Sequence, residues 1–157
     1  MATKKGIAVT AAIAAAIVGA SFLIWFIPES SPARTESEII SDVYARHNDL
    51  LGNVESMFEE WKRGNITSDD MLGEISAARS DIRGMRNQIE DASPGAAWQR
   101  SFDLYVRALD VSSEYLEAIE TRVNDGAMSE PDSEVSDLMK EWRAFVDESV
   151  AAMPIGQ

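Results

Sequence analysis

The stretch IISDVYARHNDLLGNVESMFEEW, residues Ile39 to Trp61, sets Ile40, Tyr44, His47, Leu51, Val54, Phe58 and Trp61 at alternating steps of four and three. Such spacing lines side chains along one stripe of an α-helix. Three more stripes of the same kind follow. The second is Met71, Ile75, Ala78, Ile82, Met85, Ile89; the third is Trp98, Phe102, Tyr105, Leu109, Ser112, Leu116, Ile119, Val123; the fourth is Val135, Met139, Trp142, Val146, Ser149, Met153. Four sustained stripes joined by short connections predict an all-α, up-down-up-down four-helix bundle with nearly parallel axes.

The ends of these helices carry their own signals. Thr35-Glu36-Ser37-Glu38 has the capping-box pattern, as does Ser129-Glu130-Pro131-Asp132, and Pro94 after Ser93 reads as a third helix start. Gly64-Asn65 and Asp125-Gly126 read as stops. The predicted helices run roughly Glu36 to Arg63, Ser68 to Asp91, Pro94 to Asp125 and Pro131 to Met153. EEWKRG on the first and KEWRAF on the fourth share Glu-Trp-basic, a match too short to establish a duplicated hairpin.

Ahead of the bundle, Gly6 to Ile27 is a run of 22 residues without a charge. As a helix it would reach roughly 33 Å, enough for a hydrocarbon core of about 30 Å. Residues 1–27 are therefore expected to be a transmembrane signal-anchor, 28–35 a Pro- and Ser-rich linker, 36–153 the bundle and 154–157 a tail. Val18-Gly19-Ala20 imitates a signal-cleavage site, but cutting there would expose Phe22 to Ile27 as a new terminus. Ser31-Pro32-Ala33 is the better-placed alternative site. Lys4 and Lys5 precede the span and Glu29 follows it, so the N-terminus is expected in the cytoplasm and the bundle outside it. Trp25 and Phe26 fall where an outer aromatic belt would lie. With no cysteine, the exported domain must be held by packing alone.

Charge narrows the partners. The chain carries a net −13, and from Glu29 onward twelve basic residues face 27 acidic ones, a net of −15. Nucleic-acid binding relies on Lys and Arg neutralising phosphates, so this balance argues against it. Chemistry is sparse as well. The single histidine has Tyr44 three residues before it, so the Glu-x-x-His pairs of di-iron bundles are missing. Covalent haem needs a Cys-x-x-Cys-His run, and the scattered methionines read as core filler. No nucleophile motif, phosphate loop or carboxylate pair stands out, and the expectation is a non-enzymatic chain with no cofactor and no metal.

Four groups of residues remain as candidates. His47 lies inside an apolar stripe, and counting along antiparallel helices brings Tyr105 and Trp142 to its level, with Tyr44 one turn away. These four would make an aromatic, partly polar layer, either a self-satisfied core or a ligand pocket. Arg79, Arg83 and Arg86 form a row on the second helix, expected to pair with acidic neighbours or to dock a partner. Asn65-Ile66-Thr67 is an acceptor sequon, with Asn65 as a glycosylation site in a host that glycosylates its surface. Ala12, Ala16 and Gly19 belong to the small-surfaced inner half of the span, which suits packing against another membrane helix.

The segment KKGIAVTAAIAAAIVGASFLIWFIPES, Lys4 to Ser30, resembles the N-terminal spans of small single-anchor extracytoplasmic helical proteins of ammonia-oxidising archaea. The resemblance covers this segment alone. It implies an archaeal cell surface and an accessory role beside a membrane monooxygenase, and it carries no site residue.

Two functions follow as expectations. One is an accessory or interaction subunit of a membrane protein complex, in contact with the bilayer and another membrane protein. The alternative is a sensor-like bundle holding a small ligand or metal; no second apolar span follows the bundle, which favours the first. If the anchor is retained, the native protein should stay with membranes after carbonate washing and its N-terminus should lie before Ser21. A mature chain starting at Arg34 would show instead that the anchor is removed.

Overall fold

The computed structural model describes residues 34–128 and 133–154. Among them are four helices and no strand: α1 Glu36–Lys62, α2 Ser68–Asp91, α3 Gln99–Asp125 and α4 Ser133–Ala151. None is long and apolar enough to cross a membrane. The expected span and most of its tether lie outside the described residues, as does the Ser129 capping pattern.

Local chemistry explains most of the helix ends. The Thr35 hydroxyl accepts from the Glu38 N–H at 3.3 Å, and the Glu38 carboxylate accepts from the Thr35 N–H at 2.8 Å. Thr67 and Asp70 repeat the same reciprocal box at the start of α2. Gly64 and Gly126 adopt left-handed φ values of 75° and 67°, a conformation that favours glycine and ends α1 and α3. Across the first turn, the Trp61 indole donates to the Ser68 hydroxyl at 3.1 Å and stacks on Phe58, tying the end of α1 to the start of α2.

The third helix begins at Gln99, five residues after the expected Pro94. Ser93 takes a left-handed φ of 47°, which turns the chain off α2. The Trp98 N–H then bonds the Gly95 carbonyl at 2.8 Å, closing a separate turn before helical bonding starts. Glycine in a first helical turn is a poor former, so the helix is deferred.

Consecutive helices run antiparallel. Asn53 reaches Glu74 and Trp61 reaches Ser68 between α1 and α2, while Arg79 pairs with Glu120 at 2.6 Å and Arg86 with Asp110 between α2 and α3. The buried residues of α2 are Met71, Ile75, Ala78, Ile82, Met85 and Ile89, the same six that the periodicity selects. In α1 the buried position belongs to Val43 and not to Tyr44, which is 41% exposed. Val43 and Trp61 are 18 residues apart, about five turns, so they share one line of the helix and the buried arc leans to their side.

α3 is the centre of the packing. Besides its expected stripe it buries a second one: Ser101, Leu104, Ala108, Val111 and Tyr115. With two buried stripes it approaches α1, α2 and α4, whereas no Cα of α1 comes within 8 Å of one on α4. The approach is most extensive between α3 and α4, where small side chains allow it. There Ser101 Oγ donates to the Ser149 carbonyl at 2.9 Å and Ser149 Oγ donates to the Ser101 carbonyl at 2.8 Å, both residues without exposure. This reciprocal clasp holds two helix backbones together through hydroxyls in place of apolar bulk.

Ser149→Ala removes one hydroxyl-to-carbonyl bond and should cost about 1 kcal/mol. Ser149→Leu must also force the backbones apart, at a further cost of about 1–3 kcal/mol. Thermal unfolding followed by circular dichroism should rank Leu below Ala below wild type, and equal midpoints for all three would show that the clasp is dispensable.

Candidate functional site

His47 is carried into the core by the α1 stripe and has no exposure. Its two ring nitrogens meet side chains from α3 that lie seven residues, or about two turns, apart. Nδ1 is 3.2 Å from the Tyr105 hydroxyl, and Nε2 is 2.7 Å from Ser112 Oγ. Ser112 Oγ itself lies 2.8 Å from the Ala108 carbonyl. A carbonyl can only accept, so the Ser112 proton is committed to Ala108 and Ser112 Oγ accepts from His47. That assigns the proton to Nε2 and leaves Nδ1 to accept from Tyr105. The result is a directed chain running Tyr105 to His47 to Ser112 to the α3 backbone.

Aromatic edges enclose the imidazole. The Trp142 ring from α4 stands 5.4 Å from it at 70°, and the Tyr105 ring 5.9 Å at 64°. Trp142 Nε1 is buried and has no hydrogen-bond partner among the described residues. An indole N–H so placed forgoes the hydration it would have in water.

The electrostatics follow from burial. Desolvation pushes the His47 imidazole down from 6.5 to about 4. It also raises the Tyr105 phenol well above its ordinary value. At neutral pH the whole chain of hydrogen bonds is therefore uncharged. Both imidazole nitrogens are occupied by neighbours, so the ring offers no open lone pair to a metal or ligand. Among the described residues no group of three or more His, Cys, Asp or Glu side chains is placed to hold a metal ion.

Of the four aromatic-layer residues, the structure brings His47, Tyr105 and Trp142 together and leaves Tyr44 at the surface. Ser112, which completes the chain, stands in the α3 stripe, and its spacing from Tyr105 was the signal available for it. On α2, Arg79 pairs with Glu120 of α3, and Arg86 pairs with both Glu90 and Asp110. Arg83 between them is exposed, with no ion pair among the described residues. Asn65 is exposed in the α1–α2 turn, where its amide donates to Glu60 at 2.6 Å, and the Thr67 hydroxyl is engaged in capping α2. Ala12, Ala16 and Gly19 lie outside the described residues.

Two open grooves flank α1. One, of about 410 Å³, runs along α2 past Leu50, Gly84 and Met85; the other, of about 290 Å³, lies towards α4 over Phe58, Tyr115 and Met139. Neither is lined by His47. Comparison with protein-family models, with curated proteins and with solved structures finds no significant match.

The native bundle keeps His47 neutral at pH values where the unfolded chain would protonate it. This group's contribution to stability is whole above about pH 6.5, declines as the pH falls towards 4, and levels off below that, where both states carry the proton. The loss should be about 3 kcal/mol. The many carboxylates titrate over the same range, so the quantity to follow is the difference in unfolding free energy between wild type and His47→Gln. That difference should fall by this amount on acidification, and a difference independent of pH would refute the assignment.

Proposed function

We propose that this chain is a non-enzymatic, membrane-anchored, extracytoplasmic helical bundle that serves as an accessory or interaction subunit of a membrane protein complex. The observation that carries this reading is the closure of the His47 layer. The buried imidazole spends both nitrogens on Tyr105 and Ser112, so this layer works as a structural lock. Function then falls to the outside of the bundle, the tether and the span. The 22 uncharged residues from Gly6 to Ile27 and the lysines before them support the anchor and its orientation. The resemblance of Lys4 to Ser30 to archaeal surface anchors supports a place beside a membrane enzyme.

One observation favours the second reading, a bundle that holds a small ligand. Trp142 keeps a buried N–H without a partner among the described residues, beside the polar layer. A ligand there would be a small hydrogen-bond acceptor, and intact mass measurement of the native protein in non-denaturing conditions would detect it.

For the accessory role, the span supplies the direct test. Replacing Ala12, Ala16 and Gly19 together by Leu preserves hydrophobicity and closes the small-residue surface. The substituted chain should remain in membranes and lose co-purifying membrane proteins. Unchanged co-purification would show that the span is an anchor only.

A further inference from the structure

Charge is distributed unevenly along the bundle's length. After the tether, the two longest stretches without a charged residue are Ala92 to Gln99, eight residues bounded by Asp91 and Arg100, and Ser149 to Gln157, nine residues after Glu148. The fold puts the first stretch and the described part of the second, residues 149–154, at one end. The Ser101–Ser149 clasp joins the start of α3 to the end of α4, and a β-carbon on Gly95 would lie 3.7 Å from the Glu36 carboxylate at the start of α1. The opposite end carries Glu59, Glu60, Lys62 and Arg63 at the close of α1, and Asp69 and Asp70 at the opening of α2.

Between the charges that ring it, Glu36, Asp91, Arg100 and Glu148, this end exposes apolar side chains. Ala96, Ala97 and Ala151 are exposed and Val150 is 50% exposed. Trp98 and Met153 are half-buried, each packed against the core with part of its surface left open. Trp98 belongs to the residue type that settles at a membrane–water interface, with an apolar ring and one polar N–H. The polypeptide enters α1 at this same end, after a tether of eight residues, Pro28 to Thr35, that spans at most about 27 Å from the uncharged run of Gly6 to Ile27.

We propose that this end of the bundle docks on the surface of a neutral lipid bilayer, with Trp98 and Val150 in the headgroup region and the helix axes standing away from the membrane. The proposal rests on the anchor reading given above. The flanking carboxylates Glu36, Asp91 and Glu148 make a zwitterionic surface the fitting partner, since they would repel an anionic one. Contact with the interface would cover Val150 and the open part of Trp98.

The absence of cysteine makes the test direct, because a single introduced thiol carries a unique label. The full chain would be prepared as Ala97→Cys, Asn65→Cys and Ser21→Cys, each bearing a small fluorophore, and reconstituted into phosphatidylcholine vesicles containing a headgroup-linked nitroxide quencher. Docking predicts that the Ala97 label is quenched several-fold more than the Asn65 label, which lies about the length of α1, roughly 40 Å, away. Adding Val150→Glu to the Ala97 variant should reverse most of that quenching. If the Ser21 label is inside the bilayer while the Ala97 label behaves like the one at Asn65, the docking is wrong and the anchor stands. Strong Ala97 quenching that survives Val150→Glu would mean that the short tether alone keeps the end close, which also overturns the docking. A Ser21 label outside the bilayer overturns the anchor and the docking together.

Discussion

An imidazole without access to water must find a partner for each ring nitrogen inside the protein, and in this bundle both partners stand on α3. His47 therefore fixes α1 to α3 at one height and one rotation. A shift of α1 by a single turn would take the imidazole away from both partners and strand it and the Tyr105 hydroxyl in the core, while Ser112 kept its bond to Ala108. Apolar stripes spaced near 3.5 residues tolerate such sliding, since one layer of Leu and Ile resembles the next. The polar layer removes that degeneracy, as a buried polar residue does in a coiled coil.

Register set in this way makes α3 the reference for the other helices. It is the one helix with two buried stripes, and the chain reverses twice to bring α2 and α4 against it. The two outer contacts are built differently. Between α2 and α3, long side chains reach across in ion pairs such as Arg79 with Glu120. Between α3 and α4, the serine clasp brings the backbones themselves together. α1 and α4 then stay apart, bridged by bulky rings such as Trp142 against His47, and the groove over Phe58 and Tyr115 is what remains between them.

Much of this was legible in the sequence because its causes are local or periodic. The α2 stripe, the Thr35 box and the glycine stops each depend on residues within a few positions. The level shared by His47, Tyr105 and Trp142 was legible for a related reason: helices rise uniformly, so short turns allow heights to be counted across them. What was hidden depends on neighbours distant in the chain. Val43 displaces Tyr44 because the buried arc of α1 leans to the line that Val43 shares with Trp61, and nothing within α1 states where its neighbours lie. Ser112 and His47 are 65 positions apart, and a serine in an apolar stripe reads as a gap until its partner is seen. Ser101 and Ser149 were illegible in the same way. The late start of α3 turns on the backbone angle of Ser93, which its side chain does not announce.

Among the described residues two indoles are buried, Trp61 and Trp142, and they sit in opposite surroundings. Trp61 is hydrogen-bonded to Ser68 and stacked on Phe58, at the far end of α1 from His47. Trp142 has no hydrogen bond among the described residues and meets the imidazole edge-on. A protonated imidazole in contact with an excited indole is a stronger quencher than a neutral one, so the emission of Trp142 registers the charge on His47. The bundle thus contains an optical gauge for the ionisation of its own core, with Trp61 as a built-in reference lamp.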